Sequence, residues 1–70
     1  EVEEIQKIID TLPEGYKTVF VLYAVEGYKH SEISELLQIS EGTSKSQLFK
    51  ARKMLRSIIE KQNNVNYGTH

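Results

Sequence analysis

Seventy residues, no cysteine and 39% hydrophobic content describe one small domain without a disulfide scaffold or a thiolate metal site. The formal net charge of −1 hides a division. Residues 1–42 carry nine acids against Lys7, Lys17 and Lys29, a balance of −6, whereas residues 43–70 carry Lys45, Lys50, Arg52, Lys53, Arg56 and Lys61 against Glu60 alone, a balance of +5. The longest apolar run, Val19 to Val25, is far short of a bilayer span, so no membrane partner is expected. The absence of cysteine fits a reducing compartment, here the cytoplasm. The chain opens on Glu1 rather than Met, shows no signal peptide, and reads as a domain taken from a longer protein.

Val2, Ile5, Ile8, Ile9 and Leu12 recur at helical spacing behind Glu1, Glu3 and Glu4, acids that suit the positive end of a helix dipole. This predicts a first helix ending near Thr11, because Pro13 cannot continue it and disfavours the helical region for the residue before it. Pro13 fits the first position of a second helix, with Glu14 just inside. Tyr16 to Val25 has the β-branched and aromatic content of a buried strand. No second strand is available to pair with it, and an isolated strand leaves its backbone groups unsatisfied. A buried helix ending at Gly27, in the left-handed C-terminal position, is the prediction.

A short helix over about Ser31 to Leu37 follows, with Ile33, Leu36 and Leu37 as its apolar face and Ser31 as the nearest plausible cap. Gln38-Ile39-Ser40 makes a three-residue turn, and Ser40 caps a longer helix with Glu41 in its first turn. Gly42 is tolerable only because it lies near that end. At 100° per residue Ser44, Leu48, Ala51, Leu55 and Ile58 form one stripe, while Lys45, Phe49, Arg52, Lys53 and Arg56 lie opposite, flanked by Ser46 and Lys50. No acid appears between Glu41 and Glu60, so this face carries one sign. A solvated helix face usually mixes signs, and a one-sign face points to an anionic partner, nucleic acid first. The helix is expected to end near Lys61, leaving residues 62–70 as a loose polar tail. The reading is an all-α, four-helix domain over residues 1–61 with a C-terminal helix-turn-helix and no strands.

These residues also resemble a known family. Leu12-Pro13-Glu14 with Phe20 and Leu22 resembles the L-P-x-x-x-x-x-x-F-x-L start of region 4 in bacterial sigma-70-type factors. Glu32-Ile33 with Leu36-Leu37 resembles its E-I-A-x-x-L, and Ile39-Ser40-Glu41-Gly42-Thr43 with Lys45-Ser46 resembles its I-S-x-G-T-V-K-S. Ala51-Arg52 and Leu55 match the A-R-x-x-L that follows. The likeness covers about residues 12–57 and is greatest to the extracytoplasmic-function (ECF) branch. The sequence departs from the pattern at Lys29, where Ser or Thr is usual, at Gln38, where Gly is usual, and at Ser44, where Val is commoner. The resemblance implies a winged-helix-like region 4 fold that reads the promoter −35 element in double-stranded DNA. It further implies docking on the β flap of core RNA polymerase and the possibility of cover by an anti-sigma factor.

Lys45, Lys50, Arg52, Lys53 and Arg56 are suited to phosphates, and Lys45 and Lys50 also to guanine edges in a major groove. Lys45, Ser46, Phe49 and Lys50 match the family positions that face bases. Phe49 either lies against a thymine methyl or sugar or packs on a neighbouring helix. Thr43 either helps the helix N-terminus hold a phosphate or bonds within the turn. Tyr23 reads as core, Tyr28 as a turn residue and His30 as a surface or capping residue. Two distant histidines without cysteine argue against a metal site. Ser40 or Ser46 as a nucleophile would need a base and an oxyanion pocket, so neither an enzyme nor a cofactor is expected. Two other readings stay open: the output domain of a LuxR-type response regulator, and a helical protein-interaction module, which would need a large exposed apolar patch.

Overall fold

The computed structural model describes residues 2–68, with side chains over residues 4–62. Four helices follow one another: α1 (Val2–Asp10), α2 (Glu14–Phe20) running straight into a wider π-helical turn at Val21–Val25, α3 (His30–Leu37) and α4 (Glu41–Gly68). No strand occurs among the described residues, so the apolar run Val19 to Val25 is helical despite its strand-like composition.

α1 closes on tight bonds. The Thr11 amide and hydroxyl both donate to the Ile8 carbonyl (3.1 and 2.6 Å), and the Leu12 amide donates to the Ile9 carbonyl (3.1 Å). Pro13, extended at φ −54° and ψ 150°, stands just before α2 rather than inside it, and its carbonyl accepts the Lys17 amide at 2.8 Å. Past Phe20 the ladder widens, and the Glu26 amide reaches back five residues to the Val21 carbonyl (2.9 Å). A regular helix to Gly27 was the expectation. The wider turn instead shifts the angular positions that follow it, and both Leu22 and Tyr23 pack against the core. Gly27 then takes φ 83°, a conformation open to a residue without Cβ, and the Tyr28 amide closes on the Leu22 carbonyl at 2.9 Å.

α3 starts one residue before the expected cap. Lys29 holds the flanking position, and its amide donates to Glu32 Oε1 at 2.8 Å. With no Ser, Thr, Asn or Asp at position 29, the glutamate at the third helical position supplies the cap, and Ser31 lies within the first turn. α3 ends at Gln38 in the left-handed region (φ 58°, ψ 47°). The core takes one side chain from each of three helices: Val19 (1% exposed), Ile33 (0%) and Leu48 (5%). Phe20, Leu22, Leu37 and Ile39 surround them, while Ile9, Leu12 and Ala51 are buried as well. α4 continues to Gly68, beyond the expected end at Lys61. No Gly or Pro interrupts residues 43–67, and once nucleated a helix adds residues cheaply, even through asparagines. Thr69 and His70, the end of the expected tail, lie outside the described residues.

Candidate nucleic-acid interface

The candidate interface lies on the first half of α4. Ser40 caps it as its position suggested: the Thr43 amide donates to Ser40 Oγ (3.0 Å), and the Ser44 amide donates to the Ser40 carbonyl (3.0 Å). The Ser40 hydroxyl donates in turn to Thr43 Oγ1 at 2.9 Å. Thr43 is therefore bonded within the turn, yet its exposed hydroxyl keeps its own proton to donate.

Below the cap the two faces separate. Ser44 (0% exposed), Leu48 and Ala51 are buried, and Met54, Leu55 and Ile58 are half-buried. Lys45, Ser46, Phe49, Lys50, Arg52, Lys53 and Arg56 are all exposed, spread over an arc of roughly 160° at about 100° per residue. Phe49 is 67% exposed, which removes the reading in which it packs on a neighbouring helix. Among the described residues no carboxylate lies in ion-pair range of these cations, and Asp10 and Lys17 pair elsewhere, on α1 and α2. The face presents positive charge, unpaired with any described carboxylate, around one aromatic ring.

Two residues behind this face were not assigned to it from the sequence. His30 Nδ1 lies 2.8 Å from Ser44 Oγ, sharing a hydrogen bond between α3 and α4. The imidazole stacks on Tyr23, with ring centroids 4.5 Å apart and planes inclined by 18°. The Arg52 guanidinium lies over the Tyr23 ring, 5.8 Å from its centroid. The signal was Ser44 itself: a hydroxyl on an apolar stripe must find a partner when buried. Full burial of Ser44 also rules it out as a nucleophile, despite the histidine beside it.

An open groove of about 630 Å³ separates α1 from the second half of α4. It is apolar at Ile8 and Ile58 and rimmed by Glu4, Lys7 and Lys61. Among the described residues no group of three or more His, Asp or Glu side chains is placed to hold a metal ion, and no helix is long and apolar enough to cross a membrane.

Residues 2–55 match the family model described as "Sigma-70, region 4". The chain is 36% identical over 52 residues to the ECF RNA polymerase sigma-E factor of Haemophilus influenzae, covering 74% of this chain and 28% of that protein. It is 31% identical over 58 residues to the ECF RNA polymerase sigma factor SigE of Mycolicibacterium smegmatis (83% of this chain, 23% of that protein). It is 32% identical over 59 residues to the RNA polymerase sigma factor SigV of Bacillus subtilis (84% and 36%). The chain thus spans between 23% and 36% of the length of these three relatives.

Proposed function

We propose that this chain, which belongs to the sigma-70 region 4 family on its ECF branch, binds promoter DNA at the −35 element and thereby helps direct RNA polymerase to its start sites. The observation that carries this reading is the exposed one-sign face of α4, set on a capped helix N-terminus and unpaired with any described carboxylate. The family comprises initiation factors rather than enzymes, and its match favours region 4 over a response-regulator output domain.

In this reading Lys45, Ser46, Phe49 and Lys50 face base edges, because the N-terminal half of a recognition helix enters the groove. Thr43, Arg52, Lys53 and Arg56 meet phosphates. We assign the polymerase contact, at the β flap, to the groove between α1 and α4, since its apolar floor at Ile8 and Ile58 lies off the basic face. An anti-sigma factor would act by covering either surface. The working compartment is the cytoplasm, where chromosome and polymerase meet.

The test is selection by this chain from a random duplex library. Enrichment of one short motif, relaxed at one position on replacing Lys45 or Lys50 with Ala, supports the reading. Enrichment of no sequence, together with affinity insensitive to salt, rejects it.

A further inference from the structure

We propose that Tyr23 is a positioning residue for DNA binding: its ring, steadied by His30 and through it by Ser44, holds the Arg52 guanidinium ready for a backbone phosphate. This rests on the DNA-binding reading above.

Ser44 is fully buried on the packing side of α4. A buried serine within a helix commonly bonds back to its own backbone. Here its hydroxyl meets the His30 Nδ1 atom, fourteen residues earlier in the chain. That bond leaves the imidazole plane little freedom to turn, and the plane lies nearly parallel to the phenol of Tyr23. Tyr23 sits in the π-helical turn, where the added residue alters which side chains face the core. It packs against the Val19–Ile33–Leu48 cluster and presents its ring beneath Arg52 within cation–π range.

The path Ser44–His30–Tyr23–Arg52 begins and ends on α4, about two turns apart. It spans the residues assigned to bases, Lys45, Ser46, Phe49 and Lys50. It therefore fixes the roll of the helix against α2 and α3 as well as the direction of one cation. An arginine arranged before binding loses less side-chain freedom when it meets its phosphate. A side chain without a hydroxyl at position 44 would break this path at its first link.

The experiment is a double-mutant cycle in affinity for a labelled mixed-sequence duplex across a salt series, with folding checked by circular dichroism. Arg52→Ala should weaken binding severalfold and lower the salt slope by about 0.9, the value for one phosphate. Tyr23→Leu should show part of that loss, about threefold weaker binding, and Tyr23→Phe should bind as the parent does. The double variant should bind no worse than Arg52→Ala alone. In the free protein, Arg52 side-chain protons should show upfield ring-current shifts that persist in Tyr23→Phe and vanish in Tyr23→Leu. If Tyr23→Leu does not fold, Tyr23→Met supplies the ring-free, adaptable replacement. Losses that multiply independently overturn the proposal, as does parental binding by Tyr23→Leu beside a weakened Arg52→Ala. Unchanged binding and slope in Arg52→Ala would overturn it at its foundation, by removing Arg52 from the DNA contact.

Discussion

Lys17 Nζ lies 3.0 Å from Asp10 Oδ1, joining α1 to α2 across the Pro13 turn. Gln6 Nε2 donates to the same oxygen at 3.2 Å. The hydrogen bond from Lys17, followed by that from Gln6, holds the Asp10 carboxyl below its ordinary value of 3.8. A carboxylate depressed in the folded state contributes stability above its unfolded value and loses it as pH falls through the folded one. The gap in melting temperature between the parent and Asp10→Asn should therefore be present at neutral pH and close on acidification below about 4. Both side chains are partly exposed, so the gap should be small and shrink with salt. A gap that widens on acidification would contradict this assignment.

Leu48 joins Val19 and Ile33 at the meeting point of α2, α3 and α4. Truncation leaves a void lined by three helices, so Leu48→Ala should cost ~2–5 kcal/mol, read from urea denaturation. In a domain this small, that is enough to leave much of the population unfolded.

Gln38 holds a left-handed backbone with a side chain attached. Gln38→Gly removes a Cβ penalty of about 1 kcal/mol. It also forfeits the bond from Gln38 Nε2 to the Glu35 carbonyl (2.9 Å) and loosens the unfolded chain. The expected outcome is a neutral to stabilising change. Destabilisation beyond about 1 kcal/mol would show that the side-chain bond outweighs the backbone conformation.

Ser40 Oγ accepts the Thr43 amide that starts α4. Ser40→Ala should lower stability by ~1 kcal/mol, and Ser40→Asp, which retains an acceptor, should restore most of it. Thermal melts of the two variants side by side decide the point.

Replacing Lys45 or Lys50 with Ala should cost ~1–3 kcal/mol on the selected sequence and relax preference at one position. Arg56→Ala, further along α4, should weaken all sequences alike and reduce the salt slope by about one. Duplex variants titrated at several salt concentrations separate the two patterns, and uniform losses in all three variants would reduce the helix to an electrostatic anchor.

Much of the fold was legible because helical period and breakers coincide. Leu12-Pro13, Gly27 and Ser40 mark joints in the structure, and Ser44, Leu48 and Ala51 are buried as their stripe implied. The basic face was equally legible, since an unbroken run without acids needs no tertiary information. What escaped depends on distant partners or on backbone geometry without a strong residue signature. The π-helical turn at Val21–Val25 has no Gly or Pro to announce it. The cap of α3 comes from Glu32 rather than from a hydroxyl before the helix. His30 looked like a surface residue because its partners, Tyr23 and Ser44, lie on other elements.

Gly27 and Gln38, both at positive φ, stand on either side of α3. A helix of eight residues is marginal by itself, so even with its Glu32 cap α3 depends on tertiary contacts to stay formed. Its strongest attachment is Ile33, fully buried, with His30 at its leading edge. The segment should therefore open as one cooperative unit at lower free energy than the first half of α4, its amides exchanging with solvent together and ahead of those around Leu48 and Ala51.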